Sequence, residues 1–342
     1  MKKVRLISIV LVLCMIVMLL LTGCAGNSES NSNSTASPET EAKAFPDKTI
    51  TVIVPWPAGG RTDTWIRAIA VPMEKDLGVP VVVANHAGGA GVIGAQAVAD
   101  SSADGYTLGP FTVAHMMAEY VKNPPFQPDL YEPVAGFTDI PYGIAVKADA
   151  PWNTLQEYLD YAKNNPGKIR HGNTGTGNED HVYIEYLYHD LGIEALQVPY
   201  AGDAPAITAL LGGEIDVAMM GLPPLMPQVK SGTIKVLAVS TRDRYEFTPD
   251  IPTFIEQGVD FERSTWTGFF VPKGTPPEVI ERLQQAIEAA VNDPDFEKVM
   301  TDLFSPIVYF NTQQLKEKTE STRATLKELV DEMENMGIKI KL

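Results

Sequence analysis

Cysteine is nearly absent. Of 342 residues only Cys14 and Cys24 carry a thiol, and Cys14 falls in an apolar leader that the sequence marks for removal. The folded part is therefore expected to hold no free thiol, no disulfide and no cysteine metal site. Basic residues are also scarce: Lys and Arg number 27 against 43 Asp and Glu, a net charge of −16. Three of them, Lys2, Lys3 and Arg5, sit in the leader, so the remaining chain is more acidic still. No run of Lys or Arg exists to track a phosphate backbone or an anionic lipid surface, which excludes a nucleic-acid partner. Histidine numbers five. His171, His181 and His189 lack accompanying acids at ligand spacing and read as loop, cap or surface residues, with no metal expected. The chain lacks H-E-x-x-H, G-x-S-x-G and a Walker loop, so no acid–base or nucleophile set points to an enzyme. Repeats of fixed period are missing too, which excludes solenoids and propellers.

What is present begins with a basic stretch, residues 1–5, and an apolar run, 6–21, interrupted only by Ser8. The run falls short of a span of about 20 residues but has the length and flanks of a signal peptide. It ends in Leu21-Thr22-Gly23-Cys24, which resembles the lipobox of bacterial lipoproteins. That resemblance implies a leader of residues 1–23, cleavage before Cys24 and lipid on its thiol. The plainer readings are a signal peptide with an incidental cysteine, or an uncleaved anchor. Residues 25–44 are polar and lack aromatics, so they cannot bury enough surface to fold and read as a tether.

From Phe45 onward the composition changes. At roughly 150 residues per domain the remaining length suggests two domains, and 44% hydrophobic residues supply their cores. Short runs rich in Val and Ile predict strands at 49–55, 79–84, 106–111, 142–147, 216–220 and 235–240, with a further short strand at Ile169. Between them lie helical patterns with legible ends. Thr154 and Glu157 predict a capping box, with a stop at Asn165-Pro166-Gly167. Thr275 and Glu278 suggest the same device before Val279, Ile280 and Leu283. A last helix is predicted from Asn311 or Thr312 to Gly337. Helical spacing from Trp65 to Leu77 encloses Pro72, which predicts a kink or a shortened helix. Strands alternating with helices imply an α/β fold with mainly parallel sheets.

Two glycine-rich turns stand at strand-to-helix junctions, where open α/β sheets bind ligands. The first, Pro55-Trp56-Pro57-Ala58-Gly59-Gly60-Arg61-Thr62-Asp63, lets backbone amides approach an anion at a helix N-terminus. Asp63 would cap that helix, and Arg61 offers a planar fork to a carboxylate. The plainer reading is a tight turn with a solvated arginine. The second runs from His171-Gly172-Asn173 through Thr174-Gly175-Thr176-Gly177-Asn178 to Glu179-Asp180-His181. It is a similar polar cradle, or a similar surface loop. Gly89-Ala90-Gly91-Val92-Ile93-Gly94 spells a dinucleotide fingerprint, but the next strand ends in Pro110-Phe111-Thr112 and offers no acid for a ribose. No cofactor is expected.

These loops occur in a recognisable company. Phe45-Pro46-Asp47-Lys48 precedes the first strand, Asn85 precedes the 88–94 turn, and Asp104-Gly105-Tyr106-Thr107-Leu108 follows. Further on come Val198-Pro199-Tyr200-Ala201-Gly202, Leu211-Gly212-Gly213-Glu214-Ile215-Asp216 and Ile251-Pro252-Thr253-Phe254. Trp266-Thr267-Gly268 and Pro272-Lys273-Gly274-Thr275-Pro276 complete the set. In that order the chain resembles the extracytoplasmic receptors of tripartite tricarboxylate transporters, the Bug family of solute-binding proteins. The resemblance implies a two-lobed periplasmic-binding-protein-like fold, two α/β domains joined by crossing strands near 142–147 and 266–272. Domain 1 would hold 45–143 plus 270–342, and domain 2 144–269. It further implies hinge closure on a small di- or tricarboxylate-like ligand and delivery to a membrane permease by a monomer lipid-anchored outside the cytoplasm. Carried over, the ligand-binding residues are Ala58, Gly59, Gly60 and Asp63 from the first loop, and Thr174, Gly175, Thr176, Gly177 and His181 from the second. Tyr200, Gly202 and Asp203 border the cleft. Arg61 stands where the family usually has a small hydroxyl residue and predicts a second carboxylate or other acceptor on the ligand. Asn178 replaces a frequent Ser or Thr. The alternatives are a ligand sensor signalling to a membrane kinase, separable by the neighbouring gene, and a nucleotide-dependent enzyme, separable by turnover.

Overall fold

Val- and Ile-rich runs bounded by turn residues become the strands of one sheet. The computed structural model describes residues 45–121 and 130–338; the expected leader, Cys24 and the tether lie outside them. The strands are β1 (Ile50–Val54), β2 (Val81–Asn85), β3 (Thr107–Thr112), β4 (Tyr131–Lys147), β5 (Ile169–Asn173), β6 (Ala195–Pro199), β7 (Val217–Gly221), β8 (Ile234–Val239) and β9 (Ser264–Pro272). Their order is β2-β1-β3-β9-β4-β7-β5-β6, with β8 also on β4. The helices are α1 (Arg61–Leu77), α2 (Val92–Ala99), α3 (Val113–Val121), α4 (Leu155–Asn164), α5 (Glu179–Asp190), α6 (Asp203–Gly212), α7 (Met226–Lys230), α8 (Pro277–Val291), α9 (Pro294–Asp302) and α10 (Thr312–Asn335).

The sheet is mixed, which corrects the mainly parallel expectation. β1 runs parallel to β2 and β3, and β5 to β6 and β7, but every pairing of β4 and β9 is antiparallel. Parallel neighbours each need a long crossover; β4 and β9 join the two parallel groups directly. β4 lies against β9 as far as Pro141, and from Tyr142 onward it lies between β7 and β8. The sheet thus has two α/β halves that share its central strands.

Alternation along the strands sorts the core into layers. On one face a single apolar cluster runs through both halves, from Ile53 and Phe111 through Tyr142 and Trp266 to Tyr158 and Val182. On the opposite face there are two clusters. One holds Val52, Trp65, Phe137, Phe269, Leu283 and Phe296; the other holds Ala145, Leu210, Met220 and Leu225. Phe137 is fully buried, with the rings of Phe269, Trp65 and Phe296 at 5.6, 6.3 and 6.4 Å. Phe137→Ala should therefore lower unfolding free energy by about 3–5 kcal/mol, read as a drop in the urea midpoint at unchanged slope.

Local signals fare unevenly. Thr154 accepts from the Glu157 amide at 3.1 Å, and the capping box before α4 forms as predicted. Asn311 and Gln314 form another before α10. The box suggested at Thr275 does not form: Pro276 is the cap, and the Thr275 hydroxyl donates to the Pro272 carbonyl at 2.7 Å. Pro276 and Pro277 bring a preset φ and no N–H, so the helix starts without a side-chain cap. Pro72 does not shorten α1, which runs through it to Leu77 and ends on Gly78 at φ 72°. No described helix is long and apolar enough to cross a membrane.

Candidate functional site

Between the two separate clusters a cavity of about 1060 Å³ opens. Three strand-to-helix turns frame it: β1 to α1, β5 to α5 and β6 to α6. Their caps, Gly60, Asn178 and Gly202, make no side-chain capping bond. Each helix therefore presents first-turn amides and the positive end of its dipole toward the space between the halves. Backbone geometry explains the glycines: Gly59, Gly175 and Gly202 take φ of 80°, 147° and 104°, a region side chains disfavour. The 89–94 glycines serve packing as well. A Cβ on Gly94 would fall 2.5 Å from the Pro55 Cα and 2.9 Å from the His86 carbonyl oxygen.

Of the residues predicted for the site, Gly59, Gly60, Arg61, Thr174, Gly175, Thr176, Tyr200, Gly202 and Asp203 line the cavity, whereas Ala58, Asp63, Gly177 and His181 do not. The latter group includes residues that shape the loops. Asp63 does not cap α1. Its Oδ2 accepts from the Gly59 amide at 2.8 Å and from Arg67 Nε at 3.0 Å, and its Oδ1 from Asn85 Nδ2 at 2.8 Å. Asn85 Nδ2 also donates to the Trp56 carbonyl at 3.0 Å. Burial alone would raise the Asp63 carboxyl, but Arg67 and the Gly59 and Asn85 donors outweigh it and hold the group below its ordinary value.

The second loop repeats this construction. Asp180, in the first turn of α5, accepts from the Thr174 amide at 2.6 Å and the Thr174 hydroxyl at 2.9 Å. The Gly177 amide donates to His181 Nδ1 at 3.0 Å, and Asn178 Nδ2 to the Thr174 carbonyl at 3.1 Å. An aspartate in the first turn of α1 and another in the first turn of α5 thus fix these two loops from behind. Among the described residues no cation sits beside Asp180 as Arg67 does beside Asp63, and burial, with the Glu179 charge beside it, raises its carboxyl to about 7. Its folded value exceeds the unfolded one, so the folded state holds a proton that the unfolded chain has released, and stability falls as pH rises from about 4 to about 7. In Asp180→Asn that fall should flatten; melting temperatures of both proteins from pH 4 to 8 check it.

Arg61 is the only cation among the described residues that line the cavity. Its Nε and Nη1 are buried without a hydrogen-bond partner, and the guanidinium lies 5.5 Å from the Trp65 ring centroid. A buried, unpaired guanidinium edge is costly, and an anion in the cavity would satisfy it. Acids are more numerous, with Glu179, Asp203 and Asp302 in the lining. Burial raises the Glu179 carboxyl; its own backbone amide, Arg61 and Tyr142 pull the other way. Sequence reasoning missed Glu179 as a wall residue, together with Trp56, Thr265, Thr267 and Ser305. For the threonines a signal existed: Thr265 and Thr267 flank Trp266, which belongs to the continuous core, so strand alternation turns them to the other face. For Glu179 no local signal existed, because an acid in a first helical turn is ordinary on any surface.

Two α/β halves on shared strands, with glycine turns converging on a cavity between them, define a two-lobed solute-binding protein. Residues 65–335 match the family profile described as tripartite tricarboxylate transporter family receptor. A UPF0065 protein of Bordetella pertussis is 36% identical over 258 residues, 75% of this chain and 80% of that one. The structure of the periplasmic binding protein BugD superposes with a TM-score of 0.77 at 32% identity, covering 86% of this chain and 99% of BugD. MatC of Rhodopseudomonas palustris, solved with bound malate, gives 0.76 at 28% identity, covering 84% and 100%. The chain belongs to the tripartite tricarboxylate transporter receptor family. It is a binding receptor of the periplasmic type and not an enzyme.

Proposed function

We propose that this receptor captures a small dicarboxylate-like acid between its halves and hands it to a separate membrane permease. The observation that carries the reading is the buried, unpartnered edge of Arg61 in a cavity framed by three helix N-termini. One carboxylate lies at the N-termini of α1 and α5, toward the first-turn amides that follow the Gly59-Gly60 and Thr174-to-Gly177 turns; the second reaches Arg61. The Tyr200-Gly202-Asp203 turn borders the ligand. Asp63 and His181 act on the ligand through the loops they hold. Closure is a hinge motion of domain 1 (45–143 plus 270–342) against domain 2 (144–269), about the strands that join them. Leader cleavage before Cys24 and lipid on its thiol would keep the receptor, as a monomer, at the outer face of the cell membrane. The malate bound by MatC is of the ligand class proposed.

A thermal-shift screen tests this, with the purified protein against mono-, di- and tricarboxylates, amino acids, NAD and ATP. A ligand at 100 times its dissociation constant adds about 2.7 kcal/mol, several degrees at this size. Stabilisation by dicarboxylates is the expected result. A response confined to NAD or ATP overturns the reading.

A further inference from the structure

We infer that the ligand carries a hydrogen-bond donor beside a carboxylate, a hydroxyl or an ammonium, and that Glu179 is the residue that reads it. The inference rests on the receptor reading above and adds a third recognised group to it. Glu179 opens α5, is only 7% exposed and lines the cavity. The Thr265 hydroxyl donates to its Oε1 at 3.4 Å, and Tyr142, Arg61 and the like-charged Asp203 and Asp180 are also its neighbours.

These groups converge on one stretch of the sheet, Ile140 to Tyr142, where β4 changes partners. Arg61 presses so close to Gly221 that a Cβ there would fall 2.0 Å from Nη1. Gly221 is in register with Tyr142, and Thr265 with Ile140. The cleft floor therefore holds a cation from one half and a carboxylate from the other. The two are neighbours without closing an ion pair, and Arg61 makes none with any described residue.

A ligand made of carboxylates alone would bring further negative charge beside a buried acid, which is unfavourable. A hydroxyl or ammonium next to one carboxylate resolves the conflict. The carboxylate turns to Arg61, the donor turns to Glu179, and each buried charge gains a partner of the right sign. The same pair then discriminates against the plain diacid, because a buried polar group left unmet rejects the analogue that lacks its partner.

Isothermal titration of the full-length protein decides it, using the unsubstituted, 2-hydroxy and 2-amino forms of the four-, five- and six-carbon dicarboxylic acids. At the preferred length the hydroxy or amino acid should bind about tenfold or more tightly than the plain one. Whichever substituent wins identifies the donor. In Glu179→Leu the substituted acid should lose that advantage while the plain acid gains, since the like charge is gone. Should that variant fail to fold, Glu179→Gln must weaken the preferred substituted acid more than the plain one. Equal binding of all three forms by the unaltered protein overturns the inference and leaves the receptor reading standing, as does an equal loss for all three in the variants. Failure of all nine acids to bind overturns both.

Discussion

Arg61→Ser should weaken binding of a dicarboxylate about a hundredfold and leave a monocarboxylate of the same length little changed. The guanidinium lies over Trp65 with two nitrogens buried and unpartnered, and in the proposed function the ligand supplies an acceptor to this group. Charge-assisted hydrogen bonds are worth about 1.5–3 kcal/mol each, and every 1.4 kcal/mol is about tenfold in affinity. Serine is too short to reach the same acceptor. It also leaves the lining acidic, with Glu179, Asp203 and Asp302 and no cation. Paired titrations with mono- and dicarboxylates check the prediction. An unchanged affinity for every acid would mean that Arg61 is an ornament of the turn and that the ligand ends short of it.

Asp63→Ala should act differently, weakening every ligand by a similar factor and destabilising the empty protein by about 2–3 kcal/mol. The carboxylate joins Gly59, Arg67 and Asn85, and its removal leaves the part-buried Gly59 and Asn85 donors without that acceptor and frees the loop. Breaking a fully buried ion pair costs about 3–5 kcal/mol; the smaller figure reflects an Arg67 side chain that is 48% exposed and finds water instead. Because the Asp63 carboxyl is held below its ordinary value, its contribution is present above about pH 4 and is lost as pH falls through the folded value. Denaturation at pH 7 and at pH 3 should show the difference between native and variant shrinking in acid. A selective loss for dicarboxylates would contradict the scaffolding role and place Asp63 against the ligand.

Much of the architecture was legible where local chemistry and tertiary packing agree. The strands at 49–55, 79–84 and 106–111 appear within a residue or two, and the Thr154 box forms as its residue types require. The first part of β4 was not legible. Pro133, Gly136 and Pro141 interrupt it, and prolines argue against a central strand. Its pairing with β9 shifts register between Pro133 and Ala135 and again between Gly136 and Thr138, irregularities that accommodate these residues. β6 was missed because its five residues, Ala195-Leu196-Gln197-Val198-Pro199, hold a single β-branched side chain and end in a proline. In the site, the turns were readable because positive φ demands glycine. Glu179 was not, because its burial is created by Thr265 and Tyr142, distant in sequence.

The apolar layer that passes unbroken through both halves has a thermodynamic consequence. Neither half owns a complete core: Trp266 and Phe270, from the strand that returns to the first half, pack in the same cluster as Tyr158 and Val182 of the second. Melting one half would expose the shared layer to water, at about 25 cal/mol for each Å² uncovered. The chain should therefore unfold in one cooperative step, with calorimetric and van 't Hoff enthalpies equal, although its sequence divides into two. The halves can part only on the side where their cores are already separate, and that asymmetry keeps an empty receptor from coming apart.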